Sequence, residues 1–128
     1  MHVREPAVAG AFYPASPQTL TKQVQGFLDA VVAPQSDTAL PTPRALIVPH
    51  AGYVYSGSTA AVGYATLRTS AAEVAHVVIL GPAHRYPVRG VALPGDDAFA
   101  LAGYDIALPD LFFMVVPDIF RGFDKSLV

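Results

Sequence analysis

Residues 46–57 read L-I-V-P-H-A-G-Y-V-Y-S-G, and this stretch decides the predicted fold. A short apolar run stops at Pro49, and His50 follows at once. An Ala-Gly step and two tyrosines then lead into a segment rich in small residues. Residues 77–84 repeat the arrangement as V-V-I-L-G-P-A-H, so a second apolar run also ends close to a histidine, His84. Any function has to be argued from this pair.

The order of these segments predicts an α/β fold. Residues 45–48 are apolar on both faces, as in a strand of a buried parallel sheet, and residues 74–80 predict the next strand. The alanine-rich segment between them predicts a helix that begins after Ser56 or Ser58 and runs to about residue 67. A strand–helix–strand unit makes the two strands parallel with a right-handed crossover. The two histidines would then emerge at one edge of the sheet, which is where ligands bind in open α/β sheets.

A further helix is predicted near the start of the chain. Ser16 suits the N-cap position and Pro17 the first helical position. The apolar residues that follow at helical spacing are Leu20, Val24, Phe27, Leu28 and Val31. Residues 90–93 predict a third short strand, and the apolar run at 111–116 is compatible with another.

Composition limits the class of protein. At 128 residues the chain is one domain at most, and 52% of its residues are hydrophobic while 14% are charged, against a usual ~25%. We therefore expect apolar surface and self-association. The net charge of −2 provides no basic field for nucleic acid. The sequence lacks an apolar run of ~18 residues and a signal-peptide core, so we expect a cytoplasmic protein without membrane contact.

The pattern alone leaves three roles open for His50 and His84. Imidazole is the commonest neutral ligand for iron, zinc and copper, so a metal site is one role. General acid–base catalysis or anion binding is the second, and structural hydrogen bonding is the third. The chain has no cysteine, which excludes a thiolate ligand or a cysteine nucleophile within it.

Other residues near these histidines are candidates for substrate contact. Tyr53 and Tyr55 are predicted to lie in a loop, where their alternate spacing turns one toward the core and the other toward the cleft. Arg85 would line the same cleft. Asp96 and Asp97 are the one pair of carboxylates near the predicted sheet edge, and turn formation is the favoured explanation for them.

Three motifs, in order and in register, give the chain a recognisable resemblance. R-E-P-A-V-A-G-A-F-Y-P near the start, V-P-H-A-G-Y-V-Y-S-G in the middle and V-V-I-L-G-P-A-H-R after the second strand resemble the Memo family. Its bacterial and archaeal members are called AmmeMemoRadiSam system protein B. The resemblance implies a fold related to class III extradiol (LigB-type) dioxygenases, and a non-haem iron or copper site with His50 and His84 as ligands. It also implies partners of the radical SAM and AMMECR-like kinds.

The resemblance stops at about residue 100. Residues 1–100 are therefore predicted to form the N-terminal part of a Memo-like domain, and 101–128 a divergent segment with no assignable domain. The family's later H-x-x-E-H-S-L-E block is missing. We expect an incomplete, truncated domain with a partial sheet of parallel strands and flanking helices, and with a partial metal site. Two functions stay open: a redox protein of dioxygenase ancestry, inactive at this length, or a non-catalytic module whose cleft binds a phosphotyrosine-type peptide or another anion.

Overall fold

The structure, a computed structural model, describes residues 2–32, 41–85, 87–101, 104–107 and 111–116, the last two ranges by their backbone alone. These residues belong to two compact units. We call Pro6–Val74 with Leu101–Tyr104 the helical unit, and Met1–Glu5 with Ala75–Ala100 and Asp105–Val128 the strand unit.

Helix α1, Pro17–Asp29, forms where the sequence predicts it. The Ser16 side chain accepts a hydrogen bond from the backbone N–H of Thr19, and Pro17 takes the first helical position. Leu20 is the buried residue of the apolar stripe. At the other end of α1, the Arg68 guanidinium donates to the carboxylate of Asp29, and this hydrogen bond lowers the pKa of that exposed acid.

Helix α2, Tyr53–Ala65, begins three residues earlier than the first serine that could have capped it. Gly52 is its N-cap and supplies no side-chain hydrogen bond. The start is fixed from outside the helix, because the backbone N–H of Tyr53 donates to the carbonyl of Phe12 at 2.8 Å. The prediction that Ser56 or Ser58 caps α2 is therefore wrong, since a long-range hydrogen bond sets the first turn.

Two small residues let α2 approach its neighbours closely. A methyl group at Gly57 would lie 2.5 Å from the Phe27 ring on α1, and one at Gly63 would lie 2.6 Å from Val48. Real Cβ atoms do not come so near other atoms. Gly57 therefore sets the distance between the two helices, and the Phe27 ring fills the space that the missing side chain leaves.

Aromatic rings complete this contact. The Tyr53 ring lies 5.9 Å from that of Tyr13 and 6.4 Å from that of Phe27, in tilted and edge-to-face arrangements that aromatic pairs prefer. Burial raises the pKa of the Tyr53 phenol, and repulsion from Tyr64 and Tyr13 raises it further. The cluster anchors the first turn of α2 against α1.

Within the described residues, five short strands form two sheets. In one sheet β1 (Val3–Arg4) is parallel to β3 (Ala98–Leu101), and β4 (Tyr104–Ala107) follows β3 in the strand order. In the other, β2 (Val77–Pro82) pairs in parallel with β5 (Leu111–Val116). A 3-10 helix, Ala71–Glu73, precedes β2. Helices and parallel strands agree with the predicted α/β class.

The predicted strand–helix–strand unit is wrong. Residues 45–48 form no strand, and Ile47 is 99% exposed. The strand that lies beside β2 among the described residues is β5 instead. An apolar run indicates a preference for burial, but a strand also needs a neighbour for its backbone hydrogen bonds. Residues 90–93 likewise form no continuous strand.

None of the described helices combines the length and the apolar character needed to cross a membrane.

Replacing Gly57 by alanine should destabilise the helical unit by about 1–3 kcal/mol, because the new methyl group forces the Phe27 ring out of its place. Urea unfolding followed by circular dichroism measures the change. Gly26→Ala is the matched control, since that helical glycine has nothing within 4 Å of the added methyl group. It should stabilise the protein by about 0.5–1 kcal/mol. Equal effects of the two substitutions would contradict the close contact.

The raised pKa of Tyr53 predicts a loss of stability at alkaline pH. The folded protein holds the phenol proton more tightly than the unfolded chain does, so this contribution is complete below the unfolded pKa of about 10. It is lost as the pH rises through the higher folded pKa. Urea unfolding from pH 8 to pH 11 should therefore show a steeper decline for the wild type than for Tyr53→Phe. Tyr55→Phe is the control, and its stability should decline with pH as steeply as that of the wild type. If Tyr55→Phe instead declines as little as Tyr53→Phe, the assignment to Tyr53 is contradicted.

Candidate functional site

His50 lies on a short loop whose backbone is fixed from two sides. The buried Ser56 hydroxyl donates to the carbonyl of Ala51 at 2.8 Å, and the backbone N–H of Ser56 donates to the carbonyl of Gly52. The Tyr53 N–H is bound to Phe12 as described above. The side chain of His50 is itself exposed to solvent. The structure thus places an accessible imidazole immediately before the amino-terminal end of α2.

The two tyrosines of the motif face different surroundings, as predicted, but the reason is a helix. Both lie in the first turn of α2 and not in a loop. Tyr53 is half-buried in the aromatic cluster, whereas Tyr55 is 85% exposed. Neighbouring positions on a helix are about 100° apart, so residues two apart point to different sides. Tyr55 is the tyrosine that remains accessible to a ligand.

His84 and Arg85 follow strand β2 in the strand unit, and both side chains are exposed. The strand that delivers His84 is therefore present as predicted. His50 follows residues that form no strand and belongs to the helical unit. The premise that one sheet edge presents both histidines does not hold, and their joint role as ligands stays a prediction. The same is true of substrate contact by Tyr53, Tyr55 and Arg85.

In the strand unit, the carboxylates of Asp96 and Asp97 both bind His2. The Asp96 carboxylate lies 2.6 Å from the His2 ring nitrogen Nδ1, and that of Asp97 accepts from the His2 backbone N–H at 2.6 Å. The His2 carbonyl in turn accepts from the Asp97 N–H at 2.8 Å. These hydrogen bonds hold the start of β1 beside β3, which gives both acids a structural role.

A catalytic metal centre needs several protein ligands close together. Catalytic zinc and non-haem iron sites use three protein ligands, such as two histidines and a carboxylate. Across the described ranges no three His, Cys, Asp or Glu side chains are grouped so that they could hold one ion. The donor set in this part of the chain therefore does not fit a complete three-ligand centre.

The sequence did not predict the residues that shape the loop around His50. The sequence predicts Ser56 as a possible helix cap, whereas its hydroxyl lies inside the first turn and donates to the carbonyl of Ala51. The carbonyl of Phe12 is a backbone group, and no side-chain pattern identifies such an acceptor. The His2 ring, although exposed, is bound to Asp96. Each of these contacts joins positions whose proximity depends on the folded chain.

Comparison with known proteins identifies the relatives of this sequence. The family described as "Memo-like protein" matches residues 4–100, a range that includes both candidate histidines. Protein MEMO1 of Mus musculus is 38% identical over 105 residues, which is 82% of this chain and 33% of that protein. Protein MEMO1 of Homo sapiens gives the same figures. A MEMO1 family protein of Thermotoga petrophila is 42% identical over 87 residues, covering 63% of this chain and 31% of that protein.

This chain is much shorter than the relatives that it matches. The chain spans about a third of the length of the curated relatives that it matches. The match itself covers most of the residues present here, and it includes all three sequence motifs that surround the candidate site. This chain belongs to the Memo family.

Proposed function

We propose that this Memo-family chain binds a transition metal, iron or copper, through the imidazoles of His50 and His84. The observation that carries the proposal is that both side chains are exposed and lie within the residues matched to the family. Neutral imidazole is a good ligand for both metals. Solvent reaches both rings.

The proposal is limited to metal binding. Two imidazoles leave most of the coordination sphere of an ion to water, so binding should be weak and the ion loosely held. Asp96 and Asp97, the carboxylates near the predicted sheet edge, are engaged with His2. We therefore propose that the isolated chain has no robust dioxygenase activity.

Calorimetric titration with Cu(II), or with Fe(II) under anaerobic conditions, tests this proposal. We expect a dissociation constant weaker than about 1 μM, with a further loss of at least about tenfold in the double variant His50→Ala/His84→Ala. His76→Ala is the matched control, because His76 is also exposed but is not a proposed ligand. Binding that the double variant leaves unchanged would refute the assignment. Sub-micromolar binding that it abolishes would show that the site is more complete than two ligands.

A second function is favoured by the amino-terminal end of α2. The first turn of this helix has no acidic side chain, and its N-cap, Gly52, supplies no side-chain hydrogen bond. Helix N-termini carry a partial positive charge that favours anions. His50 and Tyr55 present exposed polar groups at the same end. These features support the binding of an anionic group such as that of a phosphotyrosine peptide.

Titration of the protein with free phosphotyrosine, followed by NMR, tests the second function. We expect a dissociation constant in the millimolar range, about tenfold weaker binding in His50→Gln, and a smaller loss in Tyr55→Phe. Tyr64→Phe, near the carboxyl end of the same helix, should bind like the wild type. A shift map centred away from the first turn of α2, or equal losses in the Tyr55 and Tyr64 variants, would exclude this function.

A further inference from the structure

Strand β2 exposes an apolar surface that bears no charge. Val78 is 56% exposed, Ile79 40% and Leu80 60%, and residues 74–83 contain no Asp, Glu, Lys or Arg. Successive side chains of a strand point to opposite faces, so Val78 and Leu80 lie on one face of the sheet and Ile79 on the other. Both faces of this strand are therefore open to solvent.

One backbone edge of β2 also lacks a neighbour within the described part of the chain. The sheet there has the order β2-β5, so β5 occupies one edge of β2 and the other edge is its outer one. Soluble proteins usually protect such edges with lysines, prolines within the strand or bulges. Here Pro82 stands at the last position of the strand, and the five residues before it carry no charge.

We propose that β2 is a self-association surface, whose partner is β2 of a second copy of this chain. Two copies that meet through the same edge form an isologous contact, and antiparallel strands satisfy that symmetry with a complete ladder of hydrogen bonds. The low net charge, −2, gives little repulsion between copies. This inference does not rest on metal or anion binding.

The charges that flank β2 select the register of the pair. Glu73 precedes the strand and Arg85 follows it, each six residues from Ile79. Antiparallel pairing centred on Ile79 sets Ile79 opposite its own copy and brings the acidic flank of one strand toward the basic flank of the other, twice per dimer. Pairing with the two strands in the same direction would bring like charges together. Opposite charges across a strand pair are favourable and like charges are not.

Sedimentation of the full chain over a range of concentrations measures the association. We expect a reversible dimer, whose dissociation constant rises at least about tenfold in Ile79→Lys, because two ammonium groups then face each other. Val62→Lys is the matched control, since Val62 on α2 is also an exposed apolar residue. A chain that stays monomeric, or association that Ile79→Lys leaves unchanged, would overturn the proposal.

The register has its own test that does not depend on the folding of the lysine variant. Since the chain contains no cysteine, Ile79→Cys introduces a single thiol at the centre of the proposed pair. Directly opposite Cβ atoms lie about 4.5–5.5 Å apart, so oxidation with diamide should cross-link this variant as a dimer. Val62→Cys should remain a monomer. Equal cross-linking of the two variants would refute the interface.

Exchanging the charges of Glu73 and Arg85 tests whether these two residues select the register. Glu73→Arg should weaken the dimer by about three- to tenfold, and the double variant Glu73→Arg/Arg85→Glu should return it to within about twofold of the wild type. Failure of the second substitution to restore association would overturn the register centred on Ile79.

Discussion

The contact between the Phe27 ring and Gly57 is the constraint on which the helical unit depends. It fixes how closely α1 and α2 lie, and no side chain larger than hydrogen fits at the α2 position. The same ring meets that of Tyr53, which is the first residue of α2. The Phe27 ring therefore sets the helix spacing and also packs on the residue at which α2 begins. Since His50 stands three residues before that start, its position follows from a packing contact made elsewhere.

Different kinds of interaction stabilise the interior of each unit. In the helical unit the decisive contacts are between rings and small residues, with the long-range hydrogen bond from Tyr53 to Phe12 added. In the strand unit, β1 is only two residues long and gains its place beside β3 from the hydrogen bonds of His2 and from the Arg4 guanidinium, which lies 5.8 Å from the centre of the Phe99 ring. Polar contacts thus fix the position of β1 in the strand unit, whereas packing of rings against small residues fixes the positions of the helices in the helical unit.

Local signals in the sequence predicted α1 well, because a serine cap, a proline and a periodic stripe all act within the helix itself. The strand at 45–48 failed for the opposite reason. A strand is stabilised by its neighbours, and the neighbour of β2 turned out to be residues 111–116, which lie beyond the family motifs. The sequence pattern likewise identified the two histidines as candidate site residues. Their surroundings were not, because Ser56, Phe12 and the acids near His2 act through contacts that only the folded chain creates.

The hydrogen bond from the Tyr53 N–H to Phe12 has a consequence for the reach of His50. Between this imidazole and the anchored amide the chain has three residues to span, which extend to at most about 11 Å. The bond from Ser56 to Ala51 shortens the free part further. The short anchored segment thus restricts how far His50 can move, so any ligand of His50 has to approach the amino-terminal end of α2.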